Sequence, residues 1–142
     1  MTRYLGGPES SVGIRRRHRR YLATGDRPDG RMSVIVVGAD GAAAGSVGYW
    51  EHDWHAGTVW EVGWSVLPEF QGRGVATAAA QLVVADIRAR GRHRCAHAFP
   101  SVDNPASNAI CRKTGFTLVG PCEVEYPRGN LLQSNDWEID LT

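Results

Sequence analysis

The sequence predicts a mixed α/β (α+β) fold, a mostly antiparallel sheet flanked by helices. Three observations predict it. The runs 32–37, 45–50 and 58–66 are β-rich and separated by turn-forming residues. The alanine-rich stretch 74–90 follows the third run and reads as a helix. Asn104-Pro105 then opens another helix before two final strand runs.

The elements follow in order. Residues 9–22 read as a helix capped by Ser10 or Ser11, and they carry the basic run "RRRHRR" at 15–20. "DRPDGR" (26–31) is a turn, "MSVIVV" (32–37) a strand, and Asp40-Gly41 the next turn. "GSVGYW" (45–50) is a strand and "EHDWHAG" (51–57) a hairpin connection. "TVWEVGWSV" (58–66) alternates most clearly. Trp60, Val62, Trp64 and Val66 share one face, and Val59, Glu61, Gly63 and Ser65 the other. On the helix 74–90, Val75, Ala79, Leu82, Val83 and Ile87 fall near one face. "RCAHAF" (94–99) is a strand, Gly115 closes the helix begun at Asn104, and 116–119 and 136–141 are the last strands.

Composition bounds the function. At 142 residues, 42% of them hydrophobic, the chain suits one domain spanning 1–142 with a real core. A net charge of +1 neither demands nor excludes a nucleic-acid partner. The basic run reads first as a solvated helix face, with an RNA or ribosome surface as its rival. No apolar run reaches the roughly 20 residues of a membrane span, and no membrane partner is expected. Cys95, Cys111 and Cys122 are odd in number and read as reduced thiols of a cytoplasmic protein. His52 with His55, and His93 with Cys95 and His97, lack zinc-finger spacing, so no metal is expected.

The stretch "VLPEFQGRGVAT" (66–77) sets two glycines and an arginine where a strand becomes a helix. A helix N-terminus offers free N–H groups and partial positive charge, and glycine lets a ligand approach. Together these suit an anion, most commonly a phosphate, to which Arg73 can add a charge-assisted bond. A Walker loop needs Gly-Lys-Ser/Thr, and a dinucleotide fingerprint needs a third glycine where Thr77 stands. A connector without a ligand is the plain alternative.

Gln71-Gly72-Arg73-Gly74-Val75-Ala76 resembles the coenzyme A loop of the GNAT acetyltransferase superfamily, Gln/Arg-x-x-Gly-x-Gly/Ala. "NPASNAICRKTGF" (104–116) resembles that family's later segment, an asparagine followed by a helix ending in Gly-Phe. The tail "EYPRG…NDWEIDL" is similar to bacterial ribosomal-protein and small-molecule N-acetyltransferases. The resemblance covers most of the chain. It implies a GNAT-type sheet, acetyl-CoA as co-substrate and an amine acceptor, either a small molecule or a protein N-terminus or lysine. Relatives usually begin with a strand and helix ahead of the segment that here holds Met1. The sheet is therefore expected to lack that first strand and helix, and a second copy could cover the edge as a homodimer.

The resemblance also implies site residues. The coenzyme would lie against Val66, Leu67, Gln71, Gly72, Arg73, Gly74, Val75, Ala76 and Thr77, with Asn104 and Asn108 on its pantetheine amides. A backbone N–H near Val66 or Leu67 would stabilise the oxyanion. An amine is largely protonated at neutral pH, so a base is needed. Glu61 is the candidate, a lone carboxylate beside Gly63, where a substrate would have room. Many relatives place a tyrosine acid seven residues after the motif asparagine; here that position is Cys111, which reads either as a proton donor or as a small core residue. Ser107 could bond the coenzyme sulfur. Two rivals stay open: a non-catalytic acyl-CoA-binding module, and a nucleic-acid or ribosome-associated domain.

Overall fold

The computed structural model describes residues 26–27, 30–38, 41–55, 57–125 and 129–142. The helix over 9–22, its basic run and the expected missing first strand and helix all lie outside the described residues. So does the edge on which the expected homodimer rests. The described residues form a seven-stranded sheet in the order β1-β2-β3-β4-β5-β7-β6. The strands are β1 (Asp26–Arg27), β2 (Gly30–Val37), β3 (Ala42–Trp54), β4 (Gly57–Val66), β5 (Cys95–Ala98), β6 (Thr117–Glu125) and β7 (Leu131–Asp140). Helix α1 spans Val75–Arg90 and α2 spans Pro105–Thr114. Every strand pairing is antiparallel except β4 with β5.

Alternation decides which face of the sheet is buried. Trp60, Val62 and Val66 of β4, with Val47 and Tyr49 of β3, pack beneath α1 through Ala76, Ala79, Val83 and Ile87. Tyr49 meets Trp60 edge-on at 5.1 Å. The opposite face carries Glu61, His52 and His97. Both helices end on left-handed glycines, Gly91 (φ 69°), which the sequence did not single out, and Gly115 (φ 112°), the stop it predicts.

Four expectations need correction. The stretch 26–31 is not all turn, since Asp26 pairs with Arg31 and Arg27 with Gly30. Residues 51–54 continue β3 rather than forming a connection; Glu51, His52 and Asp53 pair with Trp60, Val59 and Thr58. Their polarity belongs to a strand end with little core above it, and β4 resumes at Gly57. Leu82 is 73% exposed instead of sharing the buried face. An alanine-rich helix marks its buried side weakly, and Ala76, Ala80 and Val84 take that side. The last two strands are also longer than expected, because the hairpin of β6 and β7 continues past the irregular step between Leu118 and Gly120. No described helix is long and apolar enough to cross a membrane.

Candidate active site

The sheet opens between β4 and β5. Their parallel pairing comprises Trp60↔Ala96 and Glu61↔His97, yet β4 runs on to Val66. The Leu67 N–H donates to the Ala44 carbonyl on β3 at 2.7 Å. In an antiparallel ladder neighbouring residues turn their backbone groups to opposite sides, so Val62, Trp64 and Val66 aim theirs into the opening. The sequence left the oxyanion donor between Val66 and Leu67. The structure removes Leu67, whose N–H is spent on β3, and leaves Val66 on the open edge.

At the end of that edge lies the glycine turn. Pro68–Phe70 makes one 3₁₀ turn, and the Gln71 side-chain amide donates to the Val66 carbonyl at 2.9 Å, tying the turn to the strand. Gly72 (φ 76°) and Gly74 (φ 75°) are left-handed, and a Cβ at either would meet no atom within 4 Å. The glycines therefore answer to backbone conformation, and the space beside them is open. No side chain caps α1, so the N–H groups of Val75, Ala76 and Thr77 in its first turn face outward without an intrahelical partner. Arg73 lies over the Phe70 ring at 5.6 Å, holding a cation beside this terminus. A cavity of about 650 Å³ between α1 and β2–β3 reaches Arg73, Gly74 and Val75.

Across the opening stands the start of α2. Asn104 caps it, its Oδ1 accepting from the Ser107 N–H at 3.1 Å. The Ser107 hydroxyl accepts from Asn104 Nδ2 at 3.2 Å and from Trp64 Nε1 at 3.4 Å, which links α2 to β4. Asn108 is fully occupied. It donates to the carbonyls of Ser101 (2.9 Å) and Asn104 (2.8 Å) and accepts from Asn135 (2.9 Å) and Trp137 Nε1 (2.8 Å). An amide has two donor hydrogens and two acceptor positions, so none remains for pantetheine. Asn108 instead fastens α2 to β7. Asn108→Ala is expected to cost about 2–3 kcal/mol, because it strands a buried indole N–H, while coenzyme affinity changes little. Thermal unfolding beside calorimetry checks both. Cys111 is also a structural residue, 0% exposed in the core, with burial pushing its thiol up to about 12. Enclosure in the core fits the reading of Cys111 as a small core residue.

Glu61 sits on the opposite face, at the last paired step before the opening. Burial raises its carboxyl to about 7, opposed by a hydrogen bond from the Trp50 side chain. His52 Nδ1 lies 3.2 Å from Glu61 Oε1. Burial also lowers His52, against the pull of Asp53. The sequence weighed His52 only as a metal ligand; its place beside Glu61 follows from the extension of β3 past Trp50. Around them, Phe99 lies 4.8 Å from Trp54 and 5.5 Å from His52.

The expected room beside Gly63 is absent. A Cβ there would lie 2.7 Å from the Trp50 ring, which fills the space and reaches Glu61. Gly63→Ala should push that indole aside, costing about 1–3 kcal/mol of stability and lowering turnover with it. A denaturant melt and initial rates measure the two effects.

A sheet parted between parallel strands, with an uncapped glycine-led helix at the end of the gap, is the arrangement that the resemblance to GNAT acetyltransferases implies. Residues 1–117 match the family described as an acetyltransferase (GNAT) domain, and the chain belongs to that family, an acetyl-CoA-dependent class of N-acetyltransferases. Solved structures share the fold at low identity. One is the ribosomal L7/L12 α-N-protein acetyltransferase RimL in complex with coenzyme A, 23% identical with TM-score 0.70, over 93% of this chain and 73% of that one. A second, from Salmonella typhimurium, modifies the N-terminal serine of L7/L12; it is 22% identical with TM-score 0.71, over 99% and 80%. A third is spermidine N-acetyltransferase from Vibrio cholerae with coenzyme A and spermine, 18% identical with TM-score 0.66, over 94% and 77%. No curated protein sequence matches the chain.

Proposed function

We propose that this cytoplasmic enzyme transfers acetyl from acetyl-CoA to a primary amine by direct attack in a ternary complex. The observation that carries the proposal is the opening between β4 and β5, which ends at the uncapped N-terminus of α1. The pyrophosphate lies at residues 72–77, where open glycines, outward N–H groups and Arg73 suit an anion. The pantetheine arm runs along the free edge of β4, and the thioester oxygen meets the Val66 N–H. Asn104 keeps one donor hydrogen for the arm, and the Ser107 hydroxyl stands beside it.

The acceptor approaches from the face of Glu61. A carboxylate with a pKa near 7 is ionised in about half of the molecules at neutral pH, and it takes a proton better than an ordinary one. His52 lies within one hydrogen bond and can pass that proton toward solvent. Acetyl transfer asks nothing of a metal. Structures of similar fold act on a protein N-terminus and contain a bound polyamine, which supports an amine acceptor without choosing one.

The rival reading is an acyl-CoA-binding module without turnover, favoured by the enclosure of Cys111 where an acid would stand. Free thiol released from acetyl-CoA over a panel of protein N-terminal peptides, lysine peptides, polyamines and aminoglycosides separates the two. Release with at least one amine supports the transferase. Binding of acetyl-CoA with no release across the panel supports the module.

A further inference from the structure

We propose that Cys95, His97 and Glu138 form a binding site for a divalent transition-metal cation of the zinc class. Cys95 and His97 are two residues apart on β5 and point to the same face. Glu138 stands opposite His97 on β7. His97 is 4% exposed, and both of its ring nitrogens face electron-pair donors. Nδ1 lies 2.5 Å from Asp136 Oδ1, while Nε2 lies 3.1 Å from Glu138 Oε2 and 3.7 Å from Cys95 Sγ.

A neutral imidazole has one N–H and one lone pair, and a carboxylate only accepts. With the Nδ1–H donated to Asp136, Nε2 turns its lone pair to the point that Cys95 Sγ and a Glu138 oxygen also face. A proton on the thiol or on Nε2 satisfies that point, and so does a metal ion held by the thiolate, and the distances fit the metal. Zinc bonds of about 2.3 Å to sulfur and about 2.0–2.1 Å to nitrogen and oxygen, at tetrahedral angles, place sulfur and nitrogen about 3.5 Å apart and nitrogen and oxygen about 3.3 Å apart. The observed 3.7 and 3.1 Å sit close to both, and all three ligand atoms lie within 4.8 Å of one another.

The supporting shell is already in place. A carboxylate on the far nitrogen of a ligating histidine fixes its tautomer and raises its basicity. Asp136 does this while 4% exposed, and it is held in turn by the Trp54 indole N–H at 3.1 Å. Glu138 is half exposed and gives the ion its route from solvent. Three protein ligands leave the fourth position to water. A cation here ties β5 to β7 at the His97 step, where β4 begins to part from β5. The spacing of histidines and cysteines along the chain does not show the site, because its third ligand comes from a strand beyond α2.

Cobalt(II) titration of the chelator-treated full chain tests the proposal. One equivalent should bind, with a thiolate-to-cobalt charge-transfer band in the near ultraviolet that zinc displaces. Cys95→Ser should abolish the band. Glu138→Gln, at an exposed side chain that leaves folding intact, should weaken zinc binding at least about tenfold. Cys122→Ser should leave the band unchanged. Lack of a thiolate band in the wild-type chain overturns the proposal, as does a band that survives Cys95→Ser. So does nitrogen NMR showing His97 doubly protonated with zinc in excess, since the cation would then be a proton.

Discussion

Gly74→Val is expected to raise the dissociation constant for acetyl-CoA at least about 100-fold while the chain stays folded. Two separate effects set that size. Gly74 has φ 75°, a left-handed conformation that costs an L-residue roughly 1–2 kcal/mol and a β-branched one the most. A Cβ at Gly74 meets no protein atom within 4 Å, so the free protein suffers backbone strain and no clash. A domain with about 5–15 kcal/mol of stability survives that. The ligand does not escape so lightly. A phosphate must come within about 2.9 Å of the α1 N–H groups, and the valine methyls project into the open space beside them. Calorimetry gives the affinity and circular dichroism the fold. Unchanged affinity in a folded variant would move the pyrophosphate away from this turn.

Glu61→Gln is expected to lower kcat at least about tenfold, with acetyl-CoA affinity little changed. General-base assistance is typically worth about 100- to 10,000-fold, and a residual water path sets the lower figure. The pH profile is the sharper readout. As the proposed base, Glu61 would act when ionised, so the wild-type rate should rise with pH through about 7 and level above it. The glutamine variant should lose that limb.

Stability should respond in the opposite sense. The folded carboxyl binds its proton up to about 7, against an ordinary glutamate value of 4.5, so the folded state holds more protons between those values. Stability contributed by this group therefore falls as pH rises from about 4.5 to 7, by at most about 3 kcal/mol. Glu61→Gln removes that penalty, and its melting temperature should exceed wild type at pH 8 and approach it near pH 4. Wild-type kcat with an intact acidic limb would make Glu61 a structural residue.

Much of the fold was legible because alternation and capping are local. Trp60, Val62 and Val66 share the buried face that their spacing predicts, and Asn104, Pro105 and Gly115 bound α2 as their cap chemistry requires. What escaped depends on partners distant in sequence. Glu51, His52 and Asp53 read as a connection because polar residues signal loops, yet they extend β3 along the face that bears Glu61. Gly63 read as space, but its missing side chain is filled by Trp50, thirteen positions earlier. Asn108 suggested a coenzyme contact, and only the fold brings Asn135 and Trp137 to saturate it. The ladder alternation that separates Val66 from Leu67 likewise needs the register against β3.

Mass spectrometry of the chain mixed with acetyl-CoA and an accepted amine tests direct transfer most plainly. The account predicts one acetyl group on the amine, free coenzyme A in equal amount, and no acetyl on Cys95, Cys111 or Cys122 at any time during turnover. Acetyl found on one of those cysteines before it reaches the amine would contradict direct attack in a ternary complex.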